Sequence, residues 1–184
     1  MVEWVGSGVA DLKAGDTVFC AMGKVNGMFQ NMGGQISPSV SPRSQIWKLP
    51  QGVDPLAFAG LVLTQVGYNC GQRAKPCEIG DNAVVLGDGM VGHWAAQTLA
   101  WRGANVLLVG RHDDRLRRFP AGPGCHTVNA KNRPWLDAVR EFLPGRVQVV
   151  VDTVGSVQAL QEIMPLMRRE GHFVSAGLDR KSVV

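Results

Sequence analysis

The stretch Asn82-Ala83-Val84-Val85-Leu86-Gly87-Asp88-Gly89-Met90-Val91-Gly92 decides how the rest of the chain is read. The run Ala83 to Leu86 is continuously apolar, the mark of a strand buried on both faces. Three glycines follow at G-x-G-x-x-G spacing, and helical periodicity then runs from Met90 to Trp101, where Gly103 ends it. Gly87 permits a tight turn, Gly89 lets a pyrophosphate approach the backbone, and Gly92 lets the helix pack closely on the strand. The unsatisfied N–H groups and positive end of the helix then face an anion. Such a motif alone is weak evidence, and a glycine turn can serve packing only. A strand before it and a helix after it are the context that dinucleotide binding requires.

Toward the C-terminus the same texture repeats. Val106 to Val109, His126 to Val128, Val147 to Val151 and His172 to Ser175 read as strands, with helices at Asp113–Phe119, Pro134–Phe142 and Val157–Met167 between them. Alternation of this kind calls for an α/β fold with a parallel, doubly wound Rossmann sheet and right-handed crossovers. Where an acid commonly binds the ribose hydroxyls of NAD, at the tip of the second strand, the chain has Val109-Gly110-Arg111-His112-Asp113. Gly110 leaves space, Arg111 offers a planar cation suited to a 2′-phosphate, and Arg115 stands near enough to assist. This favours NADP. Asp113 and Asp114 are also within reach of a ribose, so NAD stays open, as does a purely solvated role for both arginines.

The first part of the chain is different. Leu12 to Asp16 form a turn that delivers the strand Thr17–Cys20, residues 23–42 read as loops with one or two short strands, and Gln45–Leu49 as another strand. Asp54-Pro55 opens a helix to about Thr64, Asp as N-cap and Pro at the first helical position, and a second helix covers Gly67 to Ala74. The expected division is therefore a mainly β segment with linking helices over 1–74 and the Rossmann domain over 75–184.

Of the 184 residues, 45% are hydrophobic and 18% charged, which suits a packed core and argues against wholesale disorder. The net charge of +4 is not massed into a basic tract, so nucleic acid is not expected as a partner. No apolar run has membrane-spanning length. Cys20, Cys70, Cys77 and Cys125 form no C-x-x-C pair and no signal peptide precedes them, so reduced thiols in a cytoplasmic protein are expected.

Several segments together resemble the medium-chain dehydrogenase/reductase superfamily, the zinc-type alcohol dehydrogenases and quinone reductases. They are Val5-Gly6-Ser7-Gly8-Val9 with Leu12 to Val18, Trp47 to Pro50 with Gly52-Val53-Asp54, the glycine loop, Val151-Asp152-Thr153-Val154-Gly155, and Gly171 to Gly177. The resemblance implies that residues 1–74 are a partial GroES-like segment, and that hydride passes between a nicotinamide dinucleotide and an alcohol, carbonyl or enone. It adds Asp152, Gly155, Ser175 and Gly177, on the loops after the fourth and fifth Rossmann strands, as cofactor neighbours. A strand at His172 to Ser175 without a sixth beside it would be an unprotected edge, so a homo-oligomer is expected.

Three departures qualify it. The first two catalytic-zinc ligands of the family have no counterpart, and the place of the third falls near Val62, which cannot bind metal. Cys20 is the one cysteine in the stretch where a four-cysteine structural zinc lobe would lie, so no zinc is expected. The family continues past a fifth strand, so the chain reads as a fragment. No acid or base can be named as catalytic. A non-catalytic nucleotide-binding module and an inert truncated product are the rival readings. His93 is assigned to packing or surface rather than to the cofactor phosphates, Tyr68 to helix packing, the five tryptophans to core or interface burial, and Cys125-His126 to opposite faces of a strand.

Overall fold

The computed structural model describes residues 1–20, 23–24, 32–33, 38–73 and 78–177. Most of the expected loop over 23–42, the expected junction at Lys75 and Cys77 lie outside the described residues. The chain divides into two compact units, Met1–Val62 and Leu63–Val184.

In the first unit β1 (Val18–Cys20) pairs antiparallel with the strand Ile46–Lys48, and Gly23–Lys24 (β2) pairs with Met32–Gly33 (β3). The Ile46–Lys48 strand is β4. The turn before β1 is held by Asp16, whose carboxylate accepts hydrogen bonds from the Lys13 N–H at 3.0 Å and the Lys48 ammonium at 2.9 Å. Asp54 caps as expected, accepting from the Leu56 N–H at 3.0 Å. The helix it opens differs from the expectation: Pro55–Phe58 is a 3-10 turn, and one continuous helix, α1 (Leu61–Arg73), replaces the two that were read.

The second unit is built around a five-stranded parallel sheet of β5 (Asn82–Leu86), β6 (Asn105–Gly110), β7 (Cys125–Asn129), β8 (Val147–Asp152) and β9 (Met167–Ser175), in the order β7-β6-β5-β8-β9. This is the doubly wound arrangement, with its switch point at β5. Burial follows the alternation of side chains across the sheet. Ala83, Val85, Val106, Leu108, Val149 and Val151 enter one core with Ala95, Ala96 and Leu99 of α2 (Met90–Trp101). Val84, Leu86, Leu107, Val109 and Val150 enter the other. That second core is closed by α4 (Trp135–Phe142) and α5 (Val157–Ile163), through Ala138, Val139 and Ile163. Both faces are covered, hence the unbroken apolar runs. The short helix α3 (Asp113–Leu116) ends earlier than the expected Phe119.

Helix α1 joins this unit through glycines. A Cβ on Gly67 would stand 2.6 Å from the Trp94 Cβ, and one on Gly71 2.8 Å from the Ala95 carbonyl, so α1 and α2 cross in close contact. Most of α1, from Leu63 on, thus groups with the second unit. The β9 strand starts earlier than expected and slips against β8: Val147 pairs with Met167 but Val149 with His172.

Candidate functional site

The parallel strands all end at one edge of the sheet, and the loops leaving β5, β6, β8 and β9 gather there. The Gly87–Gly92 loop leaves β5 as expected. The Gly87 N–H donates to the Val109 carbonyl at 2.8 Å, and its φ of +114° is a left-handed value that favours glycine. A Cβ at Gly92 would overlap the Gly87 carbonyl oxygen, so the first turn of α2 can lie on the loop only with glycine there. Gly89 is the opposite case. It is the N-cap of α2, with extended backbone at φ −80°, and nothing lies within 4 Å of where its Cβ would stand. The loop is closed beneath and open above. Met90 is exposed at the start of α2, and Val91 packs on the core.

Asp88 turns inward. Its Oδ2 accepts from the Arg111 and His112 N–H groups, both at 2.7 Å, and lies 3.0 Å from His112 Nδ1. Its Oδ1 is 3.8 Å from Arg115 Nη1. Burial opposes the charge of this carboxylate, but the hydrogen bonds from the Arg111 N–H, the His112 ring and the His112 N–H outweigh it and hold the pKa below the usual aspartate value. A Cβ at Gly110 would fall 2.5 Å from the Asp88 Cβ and 2.6 Å from Oδ2. Gly110 therefore makes room for Asp88, a reason that reading the strand tip alone does not supply.

The cations at the tip of β6 are thus unequal. Arg115 is engaged with Asp88, as is His112. The Arg111 side chain is exposed and makes no ion pair or hydrogen bond with the described residues. Asp113, one of the two acids that kept NAD open, takes a hydrogen bond from Asn129 Nδ2 at 2.8 Å.

On the other side of the switch point, Asp152 ends β8 and is 3% exposed. Its Oδ1 accepts from the Val154 N–H at 2.8 Å and its Oδ2 from the Ser156 N–H at 3.1 Å, with the Gly155 N–H shared between them. It is occupied in shaping its own loop. The loops after β8 and β9 touch backbone to backbone, for a Cβ at Gly177 would lie 2.5 Å from the Val154 carbonyl carbon. Ser175 is exposed beside them.

Two residues not singled out beforehand belong here. The Thr153 N–H and hydroxyl both donate to the Leu86 carbonyl, at 2.9 and 2.8 Å, tying the β8 loop under the glycine loop. Val154 is exposed there although apolar. A threonine after a buried strand-end acid gives no signal of its own, because its partner is 67 residues away.

His93 lies in the first turn of α2 with its ring edge-on to Phe119, centroids 6.4 Å apart. Its Nε2 is buried without a hydrogen-bond partner, and burial pushes its pKa down. That is the packing role assigned to it.

A parallel 3-2-1-4-5 sheet with an open glycine loop at its switch point defines the class: a Rossmann nucleotide-binding protein. The chain belongs to the zinc-binding dehydrogenase family, whose model matches residues 90–184, within the medium-chain dehydrogenases. It is 27% identical over 198 residues to an alcohol dehydrogenase of Moraxella sp. (strain TAE123), covering 97% of this chain and 58% of that one. A zinc-binding dehydrogenase of Sinorhizobium meliloti 1021 bound to NADP shares the fold at a TM-score of 0.76 and 20% identity, over 98% of this chain and 59% of that one. An alcohol dehydrogenase of E. coli CFT073 complexed with NADH does so at 0.71 and 18%, over 96% and 58%. The chain thus spans a little under three fifths of the length of these proteins. Among the described residues no helix is long and apolar enough to cross a membrane, and no three His, Cys, Asp or Glu side chains cluster where a metal ion could be held.

Proposed function

We propose that this chain is the dinucleotide-binding part of an oxidoreductase that passes hydride between NADP(H) and an alcohol, carbonyl or enone. The observation that carries the reading is the pairing of an open glycine loop with one unengaged cation, Arg111, at the neighbouring strand tip. Gly89 gives a pyrophosphate an unobstructed path to the N–H groups at the start of α2. Gly87 and Gly92, with Asp88, Met90 and Val91 between them, hold that surface in place. Arg111 offers a fork of donors to a 2′-phosphate, which NADH lacks. Gly110 serves it indirectly through Asp88, and Arg115 stands behind it. Asp152 and Gly155, with Ser175 and Gly177, belong to the loops on the other side of the glycine loop and are proposed as its cofactor-facing neighbours.

NADP supplies the hydride chemistry itself. Zinc has no fitting donor set among the described residues, and the reading rests on the dinucleotide alone. The partners proposed are the nicotinamide dinucleotide, a small alcohol or carbonyl compound, and further copies of the chain.

Fluorescence titration of the chain with NADPH and NADH tests it. The expected result is saturable binding with NADPH preferred. Arg111→Ala should weaken NADPH about tenfold or more, the loss of a charge-assisted contact of roughly 1.5–3 kcal/mol, and leave NADH within about twofold. Equal losses for both cofactors would remove Arg111 from the 2′-phosphate.

A further inference from the structure

We propose that Asp88 is a cofactor-specificity residue, one that limits the preference for the 2′-phosphate by holding His112 and Arg115 away from it. The proposal rests on the reading of Arg111 as the 2′-phosphate contact and extends it to the whole turn. A carboxylate inside a glycine loop is unexpected on electrostatic grounds, because the loop is built to receive an anion. Here it is tolerated because four donors surround it: two backbone N–H groups, the His112 ring and, more distantly, the Arg115 guanidinium. Its oxygens are 7% exposed with the rest of the residue and are already taken by these donors, so Asp88 cannot serve as the acid that grips ribose hydroxyls.

Its influence is exerted through the turn. The two N–H bonds fix the backbone of Arg111 and His112, and thereby the base of the Arg111 side chain. The charge holds His112 and Arg115, both nearly half exposed, on the protein side of the turn. It also sets a full negative charge behind the position of a dianionic phosphate. Removing that charge while keeping an acceptor would free both groups to turn outward. A single oxygen accepts both N–H bonds in the present structure, so the amide oxygen of Asp88→Asn can keep them while the charge is gone.

Asp88→Asn in the full chain is the test, with NADPH and NADH affinities read by fluorescence titration at two salt concentrations. NADPH should bind about tenfold more tightly than to the unmodified chain, the scale of a unit charge acting on a dianion at several ångströms in a largely aqueous setting. NADH should change less than twofold, and the gain should shrink as salt rises. Asp88→Ser, which also removes the charge and keeps an acceptor, replaces it should the Asn variant not fold. Unchanged or weaker NADPH binding in the neutral variant overturns the proposal, as does selective loss of NADH, which would make Asp88 a ribose ligand. Failure of the wider reading looks different: the unmodified chain would then bind neither cofactor, or bind NADPH without regard to Arg111.

Discussion

Two glycines three residues apart in the same loop should respond to the same methyl group in opposite ways. At Gly89 an added Cβ meets nothing within 4 Å, and φ of −80° suits any residue. Alanine is a poorer N-cap than glycine by about 0.5–1 kcal/mol, but it recovers roughly 0.4–1 kcal/mol by restricting the unfolded chain. The sum is near zero, and the thermal midpoint of Gly89→Ala should stay within about 2 °C of the parent. Gly92→Ala gains about 1 kcal/mol of helix propensity but drives its Cβ into the Gly87 carbonyl oxygen, backbone against backbone. An overlap of that kind costs about 3 kcal/mol, the upper end for overpacking. The net loss of about 2 kcal/mol corresponds to a fall of roughly 4–8 °C in a chain of this size. Binding should divide the other way. The methyl on Gly89 projects into the space through which the pyrophosphate reaches the N–H groups, and losing two charge-assisted hydrogen bonds of about 1.5–3 kcal/mol each weakens NADPH at least a hundredfold. Scanning calorimetry and fluorescence titration on the two variants give both numbers. If Gly89→Ala binds NADPH like the parent, the pyrophosphate does not sit on this loop. If Gly92→Ala melts like the parent, the helix can step back, and the close-approach reasoning is wrong.

The carboxylate of Asp88 also predicts an acid response. Its pKa is depressed in the folded chain, so its contribution is present above the ordinary aspartate value near 4 and is lost as pH falls through the folded value. Urea midpoints of the parent and Asp88→Asn should therefore converge below about pH 4; a gap that persists at acid pH would mean the charge is not what stabilises. His93→Leu should raise the melting temperature by a few degrees, because it removes a buried nitrogen with no partner at about 1–3 kcal/mol and keeps contact with Phe119; a drop would show that Nε2 has a partner in solution. Self-association should be visible by size-exclusion chromatography with light scattering. β9 closes one side of the described sheet, and Leu61, Val62, Leu63 and Val66 expose apolar surface on α1. A single monomeric species would refute it.

The Rossmann half was readable because its constraints are local. Ala83 to Leu86 is apolar without alternation since helices cover both faces of β5, and the helix from Met90 to Trp101 was bounded correctly because glycines mark both ends. Misreadings fell where a tertiary contact overrides local pattern. The sequence reading ends one helix near Thr64 and starts another at Gly67, yet Gly67 is the point at which α1 meets Trp94, and the helix runs straight through. Glycine's low helix propensity is outweighed by the close approach it permits. The start of β9 was missed for a related reason: Arg168 to Glu170 are charged and look like loop, while the pairing of Met167 with Val147 extends the strand across a break in register.

The site was legible as a set of positions and much less so as a set of roles. Gly87, Gly89 and Gly92 could be assigned separate duties because each duty is a property of glycine itself. Asp88, Gly110, Arg111, His112 and Arg115 could not be sorted, since what separates them is who touches whom across 23 residues of chain. Read alone, Gly110 suggests room for a ligand and Arg115 an extra phosphate contact. Once Asp88 is seen turned inward, both become consequences of a buried charge that must be satisfied before any cofactor arrives. An acid between the first two glycines was the available sign, for an unneutralised carboxylate beside a bound pyrophosphate would be self-defeating. Its presence implied a cationic partner nearby in space, and of the two strand tips that the sheet order brings beside the loop, those of β6 and β8, the one that carries cations is that of β6. The same logic separates Arg111 from its neighbours: it is the cation that the acid leaves over.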